Sequence, residues 1–220
     1  IHAQVAQAAR EGGAEVIDAT GKYTVAGVFA NGYYGATVDN AGSVTATATG
    51  GYLGDDVLAY GVVAQSYDGN ASVTNSGDIT ATASGYSYYE VSATGVSAAS
   101  YWYDASVTNS GSITATVDGY GSFYSTATGV DVYSYGGNAT VENTDTGSII
   151  ATSTYGVALG VNAYLYNGSA AVTNAGSISA TSTYSNALGV YALSKYGDVG
   201  IVNSGDITAT STYGSAVGVT

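Results

Sequence analysis

The chain has 220 residues and a formal net charge of -13, and only three of its residues are Lys or Arg. This balance excludes the clustered basic surface by which proteins bind nucleic acids. The absence of Cys excludes disulfides and thiolate metal sites. No run of about 18 apolar residues occurs, so we expect no membrane insertion by this segment.

The first 22 residues are patterned less regularly than the rest of the chain. The stretch AQVAQAARE, residues 3–11, is compatible with a short amphipathic helix. Further on, Ile17 and Ala19 occupy the same places in their segment as Ile207 and Ala209 do in theirs, so coil geometry is expected from about residue 15. We predict a degenerate coil or N-terminal cap over residues 1–22 and a solenoid repeat domain of about six coils over 23–220.

One unit recurs six times in the repeat domain. Its marker is an Asn before a Gly turn, and successive markers are 35, 34, 34, 31 and 29 residues apart: Asn40, Asn75, Asn109, Asn143, Asn174 and Asn203. The Val of a Gly-Val pair precedes each Asn by 13 residues, or by 12 in the first unit, whereas the distance from each Asn to the next Val falls from 22 to 16. The constant half predicts stacked structure, and the variable half predicts a surface loop.

Within the constant half, small apolar residues alternate with polar ones at the period of two that marks β-strands. In the second unit, Val62 and Ala64 belong to the first strand, Val73 to the second, and Ile79 and Ala81 to the third. Three such strands bury too little apolar area to be stable alone, so each unit has to stack on its copies. We predict an all-β fold, a parallel β-helix (β-solenoid) with right-handed winding and three short strands in each coil of 29–35 residues.

Stacking in register would align equivalent residues in columns about 4.8 Å apart. Inward asparagines would then bond to the asparagines above and below, so the six markers form a predicted structural ladder. A corner stack is predicted for Tyr33, Tyr67, Tyr101, Tyr135, Tyr166 and Tyr196. A second stack is predicted near Tyr52, Tyr86, Tyr120, Tyr155, Tyr184 and Tyr213. At two outward positions of the unit, acids never recur in adjacent copies. Stacking in register would otherwise place like charges next to each other, which is destabilising.

Threonines two residues apart mark the outer face of the third strand in four units. They are Thr45, Thr47, Thr80, Thr82, Thr114, Thr116, Thr208 and Thr210. On a flat solenoid sheet they would form a two-column array, interrupted at Ile150 and Ser179, that resembles the Thr-x-Thr surfaces of β-helical antifreeze proteins. The array is therefore a candidate ligand or ice face. Threonine is also a favourable outward residue in any strand, which leaves a purely structural role open.

Few residues indicate catalysis or metal binding. His2 is the only histidine, so the repeats contain no imidazole base for a nucleophilic triad. Asp55, Asp56 and Asp68 are candidate carboxylates for a polysaccharide-cleaving β-helix, but solvated loop acids explain them more simply. We predict no catalytic residues, no enzyme activity and no cofactor. Structural Ca²⁺ is the alternative for an acidic solenoid, although the Gly-Gly-x-Gly-x-Asp motif that would bind it is absent.

The corners carry two further features with alternative interpretations. Asn70, Asn138 and Asn167 each begin an Asn-x-Ser/Thr sequon, and the same residues are also what tight corners favour. Trp102 and the tyrosine columns could stack on sugar rings or on another fibre. They could equally serve to shield the corners of the solenoid.

The ordered repeats resemble a known family. Units of the form Gly-Val-x-Ala-x-Ser, Tyr-Gly-Gly-x-Ala-x-Val-x-Asn-Ser-Gly and Ile-x-Ala-x-Ser are similar to the passenger repeats of bacterial autotransporter (type V secreted) proteins and related β-helical adhesins. The resemblance covers roughly residues 23–220 and implies a right-handed parallel β-helix displayed on, or shed from, an outer membrane. Neither a translocator barrel nor a signal peptide nor a protease triad can be matched in these residues.

The function implied by this resemblance is a non-enzymatic extracellular structural or adhesive domain for adhesion, aggregation or biofilm formation. The expected partners are copies of the same chain, stacked head to tail or associated laterally, and cell-surface glycans. Because the sequence stops inside the first strand of a seventh unit, we expect either that the natural chain continues or that the ends stack head to tail. The alternatives are ice binding through the threonine array and a β-helix that binds or cleaves polysaccharides.

Overall fold

A computed structural model describes residues 4–5, 16–50, 55–121 and 124–220. These residues form 21 strands, numbered β1 to β21 in chain order, and they contain no helix. The strands pair in parallel and build three sheets. The prediction of an all-β parallel β-solenoid with three strands in each coil is therefore confirmed.

Each complete coil contributes one strand to each sheet. The first sheet contains β1 (Gln4–Val5), β3 (Thr24–Gly32), β6 (Val57–Ser66), β9 (Glu90–Ser100), β12 (Tyr124–Ser134), β15 (Val157–Leu165), β18 (Ala187–Ser194) and β21 (Ala216–Val219). The second contains β4 (Ala36–Asn40), β7 (Ala71–Asn75), β10 (Ala105–Asn109), β13 (Ala139–Asn143), β16 (Ala170–Asn174) and β19 (Val199–Asn203). The third contains β2 (Val16–Lys22), β5 (Ser43–Thr49), β8 (Asp78–Ser87), β11 (Ser112–Gly121), β14 (Ser148–Ser153), β17 (Ser177–Ser182) and β20 (Asp206–Ser211).

The N-terminal segment contains strands in its described part. Gln4–Val5 pairs in parallel with β3, so these two residues are not helical, and the rest of the proposed amphipathic segment, residues 3 and 6–11, lies outside the described residues. β2 lies in the third sheet with Ile17 beside Val44 and Ala19 beside Ala46. Regular coil geometry is thus present from Val16 onward.

In the second and third units, the additional described residues of the variable half extend strands and do not form the predicted surface loop, so that prediction was wrong there. β8 and β11 have 10 residues each, whereas β14, β17 and β20 have 6. The additional residues continue the parallel ladder, as Tyr120 pairs with Tyr86 and Val117 with Ala83. The longer coils extend the first and third sheets because inward residues such as Val91 are fully buried between them.

The interior has two regions. In one region, Val62, Val73 and Ile79 belong to a single cluster to which all three sheets contribute. In the other, Ala59 and Ala81 belong to a cluster formed by the first and third sheets alone. The small alanines allow these two sheets to approach closely. Because the second sheet occupies space only in the first region, the first sheet has to diverge from the third there.

A glycine in each coil lies where the first sheet changes direction. On both sides of Gly61, Ala59 and Val62 are buried, so the in-out alternation shifts by one residue, and the pairing of β6 with its neighbours skips the glycine. A Cβ at Gly61 would overlap Ile79 Cγ2 of the third sheet. Only glycine therefore fits at this close approach. The equivalent hinge glycines are Gly27, Gly61, Gly95, Gly129, Gly160, Gly189 and Gly218.

Candidate functional site

The six marker asparagines form one hydrogen-bonded column inside the solenoid. Each Nδ2 donates to the Oδ1 of the next asparagine, with distances of 2.7 to 2.8 Å from Asn40 to Asn203. Each Nδ2 also donates to the carbonyl of its own turn glycine, as Asn75 does to Gly77 at 3.0 Å. The four central members, Asn75, Asn109, Asn143 and Asn174, are fully buried. A column with this burial is a structural element with no surface for a ligand.

The first tyrosine column lies at the corner between the first and second sheets. From Tyr33 to Tyr166 successive ring centroids are 4.8 to 5.4 Å apart, and the central pairs are tilted by only 10° to 12°. The last pair, Tyr166 and Tyr196, meets edge to face at 76°, and Lys195 Nζ lies 4.3 Å from the Tyr166 ring centroid. Trp102 packs its edge against Tyr101 at 4.8 Å. The column is a continuous aromatic ridge on the surface.

The second tyrosine column lies at the C-terminal ends of the third-sheet strands, within the longer strands at Tyr86 and Tyr120 and just after the shorter ones at Tyr155, Tyr184 and Tyr213. Tyr155, Tyr184 and Tyr213 stack with centroids 5.4 and 5.2 Å apart and planes within 10°. Tyr120 continues this column to Tyr86 at 5.9 Å and meets Tyr155 at 88°, so the stack changes orientation there. Tyr52, the remaining predicted member, lies outside the described residues.

The outer face of the third sheet carries the predicted threonines in register. The first threonine of each pair, Thr45, Thr80 and Thr114, lies in a column that also contains Asp18, Ile150, Ser179 and Thr208 and is therefore discontinuous. The second column is threonine in all seven strands: Thr20, Thr47, Thr82, Thr116, Thr152, Thr181 and Thr210. Sequence reasoning missed Thr20, Thr152 and Thr181 because their units lack the Thr-x-Thr pair.

Buried serines support the corners, a role that the sequence did not reveal. Ser100 Oγ donates to Gly69 O of the preceding coil at 2.9 Å and accepts a hydrogen bond from Tyr103 N at 3.0 Å. Ser134 repeats the arrangement with Tyr103 O and Gly137 N, at 2.8 and 2.9 Å. The Val-x-Ala-x-Ser pattern contains the signal, because a fully buried serine requires such partners.

Two of the three sequon asparagines, Asn70 and Asn138, take part in corner hydrogen bonding through their side chains. Asn70 Oδ1 accepts from Asp104 N at 3.2 Å, and Asn138 Oδ1 accepts from Ser169 N at 3.0 Å. Asp104 Oδ1 in turn accepts from Asn138 N at 2.8 Å. This chain of side-chain acceptors and backbone donors supports corner chemistry as the reason for asparagine at positions 70 and 138.

The outer face of the first sheet is recessed, and no pattern in the sequence predicted this recess. Because the sheet diverges from the third beyond each hinge glycine, its outer surface is concave. Val63 and Thr128 point outward by alternation, yet only 3% and 7% of their surfaces are exposed. An outward side chain this well covered lies in a groove.

Two ionisable groups in the groove, Tyr60 and Asp131, have raised pKa values. Burial raises the pKa of the Tyr60 hydroxyl above its ordinary value, and the charges of Glu90, Asp131 and Asp56 raise it further. Burial also raises the pKa of the Asp131 carboxyl, and a 2.7 Å hydrogen bond from Asn162 Nδ2 opposes that shift. Among the described residues, Asn162 is the side chain that hydrogen-bonds to the Asp131 carboxyl.

A depression of about 280 Å³ opens between the outer column of the first sheet and the tyrosine ridge. Ala99 lies at its base, with Gln65 and Tyr133 at the equivalent positions one coil away on either side. Tyr67 and Tyr101 of the ridge form the second wall. This site combines aromatic rings and amides, and none of the side chains that line it is charged.

The candidate carboxylates are far apart. Asp55 and Asp56 precede β6 and Asp68 follows it, and ten residues of strand span about 33 Å when extended. The carboxyl pair of a glycosidase lies about 5 to 10 Å apart, so β6 does not bring these acids together. No cluster of three or more His, Asp or Glu suited to a metal occurs in the described ranges, and His2 lies outside them. Within the same ranges, no helix is long and apolar enough to cross a membrane.

Comparisons with known proteins add no assignment to this geometry. No protein-family model matches the chain, and no curated protein or solved structure matches it.

Proposed function

We propose that this segment is a non-enzymatic extracellular repeat domain that mediates adhesion to other surfaces or between copies of itself. The observation that carries the proposal is the ridge of stacked corner tyrosines, of which Tyr33, Tyr67 and Tyr101 are 57%, 48% and 40% exposed. Aromatic residues with a polar end are the side chains enriched where proteins bind partners. A ridge of them on one edge of a solenoid is a repeated contact surface.

The interior of the solenoid suits this role because it makes the ridge rigid. The asparagine column holds successive coils in register through buried hydrogen bonds, and small side chains fill the two core regions. A rigid array binds a repetitive partner with little loss of conformational entropy. The similarity of the repeats to autotransporter passengers supports a location outside the cell, on a bacterial outer-membrane surface.

Bead adhesion tests the proposal directly. Beads coated with the 220-residue protein are mixed with polysaccharide-coated surfaces and with one another, and albumin-coated beads serve as the reference. We expect adherence or clumping that falls when Tyr67, Tyr101 and Tyr135 are replaced by Ser. The matched control replaces Thr74, Thr108 and Thr173 on the outer face of the second sheet by Ser, and adherence should persist.

Two results would contradict an adhesive role. Beads that stay dispersed and unattached under all conditions would exclude adhesion. New reducing ends released from the polysaccharides would instead show that the protein is an enzyme.

Ice binding is a second candidate, favoured by the uninterrupted threonine column on the third sheet. It predicts thermal hysteresis that disappears in the double variant Thr82→Tyr and Thr116→Tyr. The control variant Thr108→Tyr, on the second sheet, should retain it. Absence of hysteresis in the unmodified protein would eliminate this candidate.

A further inference from the structure

In one outward column of the first sheet, a short side chain interrupts a row of longer ones. The column consists of Asn31, Gln65, Ala99, Tyr133, Tyr164 and Leu193. Every member except Ala99 has a long or polar side chain that covers the neighbouring position. The methyl group of Ala99 leaves the space between Gln65 and Tyr133 open, and this space is the depression described above.

The gap has the thickness of one ring. Gln65 and Tyr133 lie two coils apart, which is about 9.6 Å at the coil spacing of about 4.8 Å. A layer midway between them would lie about 4.8 Å from each, close to optimal van der Waals separation once ring tilt is allowed. The protein itself uses this spacing, since Tyr133 and Tyr164 stack with centroids 5.9 Å apart and planes at 12°.

Tyr133 offers one ring face to the gap. Its other face is covered by Tyr164, so the uncovered face points along the solenoid axis toward the position above Ala99. Tyr67 and Tyr101 are stacked on each other, with centroids 5.2 Å apart, and therefore line the gap with their ring edges. The gap thus has one aromatic platform and an aromatic side wall.

The side-chain amides at the gap are free to hydrogen-bond to a ligand. The side-chain amides of Asn31 and Gln65 form no hydrogen bond with any other described residue, and each carries both donors and an acceptor. The buried serines behind them are already used, as Ser100 Oγ bonds to Gly69 O and Tyr103 N. A ligand that satisfies the amides must itself both donate and accept hydrogen bonds.

We propose that this gap, the Ala99 slot, binds one ring of a neutral saccharide, with the C–H face of a pyranose on Tyr133, its ring hydroxyls on Gln65, and a substituent that extends one coil further on Asn31. The inference rests on the proposed adhesive function and names its ligand class. Pockets for drug-sized ligands measure about 300 to 1,000 Å³, so a volume of about 280 Å³ suits a single ring. The rest of a glycan chain would remain in solvent or along the groove.

Charge and polarity argue against the other flat ligands. The net charge of -13 opposes nucleic acids and acidic glycans. A tyrosine from a second copy would fill the volume, but it offers the two amides a single hydroxyl where a sugar ring offers several, and it would bring two strongly acidic molecules together. A neutral polyhydroxylated ring avoids each of these costs.

Binding is measured by saturation-transfer NMR and calorimetry with neutral oligosaccharides of glucose, galactose, mannose and N-acetylglucosamine, and with an oligogalacturonate as the acidic comparison. Two variants remove the slot by opposite means: Tyr133→Ala deletes the platform, and Ala99→Tyr fills the gap with a ring. Tyr184→Ala is the control, because Tyr184 is 56% exposed in the other tyrosine stack. Circular dichroism checks that all variants remain folded, and sedimentation measures self-association.

We expect at least one neutral probe to bind, with affinity about tenfold lower in both slot variants, equivalent to about 1.4 kcal/mol of lost contact. Binding by Tyr184→Ala should be unchanged. The proposal is overturned if no neutral probe binds, if only the acidic probe binds, or if Ala99→Tyr binds as well as the unmodified protein. It is also overturned if Ala99→Tyr abolishes self-association and no sugar binds, since the occupant is then a second copy. If beads coated with either slot variant still adhere, the proposed adhesive function is supported, but the slot is not needed for it.

Discussion

Replacing Asn109 by alanine perturbs the asparagine column at its centre. The side chain is fully buried, and its Nδ2 donates to Asn143 Oδ1 at 2.8 Å, to Gly111 O at 3.1 Å and to Ser148 O at 3.3 Å. Its Oδ1 accepts from Asn75 Nδ2 at 2.8 Å. The substitution removes all four hydrogen bonds and divides the column into two shorter ones.

The expected cost follows from what each partner retains. Asn143 Oδ1 has no other donor among the described residues, and a buried acceptor without a partner costs about 1–3 kcal/mol. Asn75 Nδ2 keeps Gly77 O at 3.0 Å, and Gly111 O keeps Ser148 N at 2.9 Å, so each loses only about 0.5–1.5 kcal/mol. With the cavity left by the amide, we expect a loss of about 3–5 kcal/mol in the free energy of unfolding.

Urea unfolding followed by far-ultraviolet circular dichroism measures this loss, and a chain of this length should melt roughly 10 °C lower. Asn203→Ala is the matched control, because Asn203 is exposed and water replaces its partners, so its cost should stay below about 1 kcal/mol. Asn109→Asp separates hydrogen bonding from cavity formation. Its second oxygen would face three acceptor oxygens, which raises the pKa of the new carboxyl, so this variant should regain stability as the pH falls toward the ordinary value of about 3.9.

Equal losses at positions 109 and 203 would refute the reasoning, because the ladder would then contribute nothing beyond its exposed end. So would an Asn109→Asp variant as stable as the unmodified protein at neutral pH. In that case the packing volume of the side chain, and not its donor group, would hold the coils in register.

Three further predictions concern single residues. Gly95→Ala should cost at least about 1–3 kcal/mol in urea unfolding, because the new Cβ would overlap Ile113 Cγ2. Gly218→Ala, the equivalent change with no atom within 4 Å, should be neutral, and equal effects at the two sites would contradict the bend. Asp131→Asn should stabilise the fold at neutral pH, by about 1.4 kcal/mol for each unit by which burial raises the pKa of the carboxyl. That advantage should shrink as the pH falls through the raised pKa toward 3.8, and a constant advantage in melts at several pH values would disprove the assignment. Thr144→Val should leave stability unchanged or raise it by about 1 kcal/mol, because Oγ1 is buried without a partner among the described residues; a clear loss in the same urea assay would reveal a hidden contact.

The columns of the solenoid were predictable because parallel stacking converts sequence period directly into spatial adjacency. Once the interval between Asn75 and Asn109 equals one coil, the two side chains have to meet, whatever the shape of the cross-section. The same holds for Tyr67 and Tyr101, whose rings stack at 5.2 Å. The repeat period therefore predicts which residues are in contact along the solenoid axis.

The cross-section was not predictable in the same way. Gly, Ser and Tyr after Ala83 have the composition of a loop. They continue the strands because Val91 and Val117 belong to one buried cluster between the extended parts of the first and third sheets. The glycine of each Gly-Val pair was visible in the sequence, but its role as a hinge depends on Ile79 lying opposite Gly61.

By itself, the sequence determined the fold class and the membership of the asparagine and first tyrosine columns, since these depend only on the period. Only the tertiary structure decided the bend of the first sheet, the groove that covers Val63 and the Ala99 slot. These features arise where non-equivalent positions from different sheets, or from coils two apart, come together. The sizes of the side chains that meet at such contacts follow no period in the sequence. How they fit together is therefore known only from the packed structure.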